Sequence, residues 1–119
     1  MADRAEDLAA DLRIWASTEN NRVRAAVSLL IKEGWHRRAD FTRACVRDDA
    51  GQPWIRWDLA RAFHASNPVG SSAELAILDM AVLLTEDRFR LGGMGAEHLR
   101  WVADAWAIAC GLGGANTDG

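Results

Sequence analysis

Val23, Ala26, Val27, Leu30 and Ile31 recur at intervals of three and four residues, and the run stops at Gly34. That spacing puts all five side chains on one face of an α-helix, with Arg22, Arg24, Ser28, Lys32 and Glu33 off it. No β-strand can present such a set to one core, because its side chains alternate from face to face. The same period recurs in Ala5, Leu8, Leu12 and Trp15, and again from Ala73 to about Leu84 and from Ala96 to Cys110.

Punctuation agrees with the period. Asp3 can cap a first helix over residues 3–16, and Ser17-Thr18-Glu19-Asn20 reads as a break and a new cap for a second helix over 20–33. Gly34 fits the position that ends it. A third helix is expected from His36 to Val46, and Asp58 can cap a short fourth holding Leu59, Ala62 and Phe63. Ser71 and Glu74 have the spacing of a capping box. Asp48 to Pro53 is a turn by composition. Trp54-Ile55-Arg56-Trp57 is extended in character and Arg88-Phe89-Arg90-Leu91 alternates, so residues 54–57 and 88–91 are expected to pair as a minimal two-stranded ribbon. The expected fold class is all-α, a single irregular bundle of five to six short helices over residues 1–112, with a flexible tail at 113–119.

A chain of 119 residues, half of them hydrophobic and a quarter charged, suits one globular core. Aromatic burial falls on tryptophan, present six times where tyrosine is absent. Trp15 and Trp106 lie on core stripes, Trp35, Trp54 and Trp57 lie at junctions, and Trp101 lies opposite the main apolar face of its helix. Two cysteines, Cys45 and Cys110, make no disulfide framework and read as small buried thiols. The charged N-terminal residues resemble no signal peptide, and no run reaches the ~18 apolar residues of a membrane span. A cytoplasmic location, with no membrane partner, is the expectation.

No cofactor or metal motif is present, and no catalytic set. His36, His64 and His98 are 28 and 34 residues apart, without the i, i+4 spacing of a helical metal site. There is no GxSxG elbow, and Gly92-Gly93-Met94-Gly95 matches neither phosphate-loop pattern. Asp79 falls between Leu75 and Leu83 on an otherwise apolar helix. It forms a buried ion pair, with Arg88, Arg90, Arg100 or an indole as partner, or marks a narrow solvent stripe with Glu86, or serves as a catalytic or ligand-binding carboxylate.

Two surfaces could carry function. The last helix has one apolar face of Leu99, Val102, Ala103, Trp106 and Cys110, and a second of Trp101, Ala105 and Ile108. A helix apolar around most of its circumference is central in a bundle or shared with a partner, and Trp favours interfaces. The first reading is therefore a non-enzymatic protein-interaction module, binding another protein or itself as a homodimer through Trp101, Ala105 and Ile108. The alternative draws on charge. Residues 20–64 carry nine Lys or Arg against five acids, in a chain of net charge −3. Residues 20–47 have a helix-turn-helix outline, so Arg37, Arg38, Arg43 and Arg47 are candidate DNA contacts of a small regulator.

Overall fold

A computed structural model describes residues 3–112, and the tail expected at 113–119 lies outside the described residues. The chain divides into two compact units after Glu86. The first holds α1 (Arg4–Ser17), α2 (Asn21–Glu33), a 3-10 turn (Trp35–Arg37), α3 (Ala39–Cys45), β1 (Val46–Asp49), β2 (Gln52–Ile55), α4 (Trp57–Ala65) and α5 (Ser72–Glu86). The second holds a 3-10 turn (Leu91–Gly93) and α6 (Ala96–Ala109). The fold is mostly helical with a minimal ribbon, as the periodicity requires.

The helix boundaries follow their caps. Asp3 Oδ1 accepts the Ala5 amide at 2.9 Å and opens α1; Asn20 Oδ1 accepts the Val23 amide at 3.0 Å and opens α2. At the far end of α2, Gly34 takes φ +93°, a left-handed conformation that a side chain would strain. The Ser71–Glu74 capping box closes as its spacing predicts, with bonds of 2.7 and 3.1 Å. Because α2 packs chiefly on α5, its cap bears on the whole unit. Asn20→Ala is expected to cost about 1 kcal/mol, measured as a lower urea midpoint. An unchanged midpoint would mean that α2 starts without it.

Val23, Ala26, Val27, Leu30 and Ile31 are all buried, and α5 meets them with Leu78, Ala81 and Val82. At one end of this core Trp35, Phe41 and Phe63 form a three-ring cluster, with centroids 5.7 to 6.0 Å apart. Two of the rings meet Phe63 edge-on, the arrangement their quadrupoles prefer. The Trp35 Nε1–H donates to the Glu74 carbonyl at 3.1 Å, tying the 3-10 turn to the start of α5.

The expected third helix is broken. Arg38 is extended, at φ −94° and ψ 122°, which separates the 3-10 turn from a seven-residue α3. Its guanidinium lies 4.4 Å from the Trp35 ring centroid and grips Asp40 through two bonds of 3.1 and 2.8 Å. Asp40, in the first turn of α3, also accepts the amide of the next residue, Phe41, at 2.8 Å.

The ribbon exists, but not between residues 54–57 and 88–91. Its strands are β1 and β2, antiparallel, pairing Val46 with Ile55, Arg47 with Trp54, Asp48 with Pro53 and Asp49 with Gln52. Ala50 and Gly51 both have positive φ, 55° and 89°, as a two-residue hairpin loop demands. The segment read as a long turn is thus two strand ends around a tight one. Gln52 Nε2 donates to the Asp11 carbonyl at 3.1 Å, anchoring the ribbon on α1. Residues 88–91 instead enter a 3-10 turn through Arg90, which is left-handed at φ 57°.

Candidate functional site

Helix α6 carries the candidate interaction residues. It begins after an extended Gly95 and ends in a doubly bonded cap. There the Gly111 amide donates to the Ile108 carbonyl at 2.9 Å and the Leu112 amide to that of Ala107 at 2.8 Å. None of its fourteen residues is buried. Trp101 is 55 % exposed, Ile108 58 % and Ala105 is exposed too. The His98 ring sits edge-on to Trp101, 4.8 Å between centroids, and fixes one side of that indole.

The opposite stripe departs from expectation. Trp106, placed by periodicity on a core face, is 54 % exposed, and Cys110 is exposed as well. Among the described residues of the second unit, α6 is accompanied only by the short 3-10 turn and its flanking loop. Trp101 is therefore one of two half-exposed indoles, not an exception. In the first unit, α5 also turns an apolar side away from its core, with Ala73, Ala76 and Met80 exposed and Ile77 and Leu83 half-buried.

The four candidate DNA-contacting arginines are not brought together as a free basic face. Arg37 reaches back to α1, 3.4 Å from Asp3 and in closer contact with Glu6. Arg38 is committed to Trp35 and Asp40, and it holds the Asp40 carboxyl below the ordinary carboxylate range. Arg47 donates to the Arg43 and Val46 carbonyls at 3.3 and 3.1 Å. Arg43 is exposed at the end of α3. Beside Arg47 lies an open depression of about 310 Å³, whose rim includes Arg4, Asp7, Asp11, Thr42 and Asp48. Three carboxylates against two guanidiniums give it no strong preference for either sign of ligand.

Asp79 is paired, though only half-buried. Its Oδ1 accepts from Arg61 on α4 at 2.9 Å, and the same guanidinium grips Glu86 at 3.1 and 3.2 Å. The side chains of Arg61 and Asp79 remain 35 % and 40 % exposed. Glu86 and Asp79 together raise the Arg61 pKa. Sequence reasoning had nominated other arginines. The two-turn spacing of Asp79 and Glu86, read above as a solvent stripe, lets one fork bridge both from a neighbouring helix.

No family model, curated protein or solved structure matches this chain.

Chemistry therefore rests on the side chains alone. Burial pushes the Cys45 thiol up to about 12, so it stays protonated and un-nucleophilic at neutral pH. Among the described residues no three His, Cys, Asp or Glu side chains come together to hold a metal ion. Likewise no described helix is long and apolar enough to cross a membrane. Sequence reasoning missed one group altogether. His36, read only for metal spacing, is the sole buried polar or charged side chain among the described residues.

Proposed function

We propose that the protein is a small non-enzymatic interaction module that binds a protein partner through α6, with a second copy of itself as the first partner to test. One observation carries this reading: a fourteen-residue helix without a buried residue displays two half-exposed tryptophans and an exposed isoleucine. Surface of that kind is costly to leave in water, and large exposed apolar patches mark interaction sites. Trp101, Ala105 and Ile108 also set a small residue between two large ones, which lets a partner helix approach closely at Ala105.

Light scattering across a concentration series is the direct test, paired with acrylamide quenching of tryptophan fluorescence. The expected result is a mass that rises with concentration while quenching of the α6 indoles falls. A strict monomer with freely quenched indoles removes the second copy and leaves a different protein as partner. A strict monomer in which Trp101 and Trp106 are shielded overturns the reading, since the chain would then cover its own helix.

A further inference from the structure

His36 is 6 % exposed, in the 3-10 turn that follows α2, and neither ring nitrogen has a hydrogen-bond partner. A buried imidazole left in that state is unusual, because buried polar groups are almost always satisfied. Its neighbour Arg37 ties this turn to the first turn of α1 through Asp3 and Glu6. We propose that His36 is a proton-sensitive pin: taking up a proton releases the first turn of α1 from the 3-10 turn.

The charges around the ring explain why the tie would give way. Arg37 on its own turn and Arg13 on α1 oppose a positive imidazole, while Glu6 and Asp3 on α1 favour one. Of the other elements packed on this turn, α4 and α5 meet it at Trp35 through Phe63 and the Glu74 carbonyl, the Glu74 carboxylate being held by Ser71. Two more end or begin in charged residues. These are Lys32 and Glu33 closing α2, and Arg38 and Asp40 at the start of α3, the latter two bound to each other. A buried imidazolium needs a carboxylate or water. The carboxylates that favour it, Glu6 and Asp3, are those Arg37 already holds. Protonated His36 must compete with Arg37 for them or swing out to solvent, and either route loosens α1.

The direction with pH follows. Desolvation, then Arg37, holds the folded His36 pKa below its ordinary 6.5. Above pH 6.5 both folded and unfolded chains keep it neutral and stability is intact. Below that value the unfolded chain takes up a proton that the folded chain refuses. The folded state then loses ground, by at most about tenfold per pH unit, until the folded pKa is reached. Aspartates and glutamates bind protons mainly at lower pH, which leaves the interval from about 6.5 to 5 to histidine.

Amide hydrogen exchange on the full chain at pH 7.0 and 5.5, corrected for intrinsic rates, tests the pin. Protection of the Leu8 to Asp11 amides, bonded into the first turn, is expected to fall about three- to tenfold more than that of α5 amides. His36→Gln, which keeps a polar group but does not titrate, should abolish the difference, and His36→Phe should do the same without an unpaired group. Equal losses in α1 and α5, no loss in the unmodified chain, or the same α1 loss in both variants would each overturn the proposal.

Discussion

Trp35→Ala is expected to remove about 3–5 kcal/mol of folding free energy, the usual cost of emptying a buried tryptophan site. Domains of this size hold only about 5–15 kcal/mol in total, so the variant should sit near the edge of folding. Three losses coincide there. The rings of Phe41 and Phe63 lose their shared neighbour, at 5.7 and 6.0 Å. The bond to the Glu74 carbonyl disappears, and with it the tie between the 3-10 turn and α5. Arg38 loses the ring face it covers. Trp35→Phe separates these contributions, because it keeps most of the volume and gives up the indole bond. It should cost only about 1–2 kcal/mol. Urea denaturation followed by circular dichroism measures both, since the tryptophan signal itself is altered. A loss under 1 kcal/mol for Trp35→Ala would show that the three-ring cluster does not hold this end of the core.

Trp35 lies at the helix junction where the sequence puts it, and it is the most deeply buried tryptophan of the described residues. That depth is not legible from periodicity, for a physical reason. Helical phase carries which side chains share a face only while the backbone stays helical. Gly34, at φ +93°, resets the direction of the chain, so nothing upstream tells where residue 35 points. Within uninterrupted helices the same reasoning succeeds: all five residues of the α2 stripe are buried, and both partners of the Ser71–Glu74 box bond as their spacing requires.

Failures cluster where one segment must find another. Alternation at 88–91 marks a strand without naming its partner. Ala50 and Gly51, the two positive-φ residues that select the true hairpin, fall inside a segment whose composition says only turn. Arg61, the partner of Asp79, lies on another helix 18 residues away, and only packing of α4 beside α5 brings them together. The commitment of Arg37 to Asp3 and Glu6 is likewise a contact between distant segments. A count of basic residues sees the charge of such an arginine and not its engagement.

Trp101→Ser combined with Ile108→Ser is expected to separate binding from folding, and so to decide what α6 is for. If α6 is the interaction surface proposed above, the pair should weaken association by at least 30-fold. That corresponds to about 2 kcal/mol, the threshold for an interface hot spot. Folding should hardly notice. Both side chains are more than half exposed, and surface changes away from special features stay within about 0.5 kcal/mol. The contrast with Trp35 is sharp in kind: one tryptophan is enclosed by the core, the other is more than half exposed with the edge of His98 on one side. Sedimentation equilibrium gives the association constant, and thermal melts at a dilution where the chain is monomeric give stability. A loss of more than about 1 kcal/mol in the dilute melt would mean that Trp101 and Ile108 support their own fold. In that case α6 is covered by its own chain, and the interaction surface must be sought elsewhere.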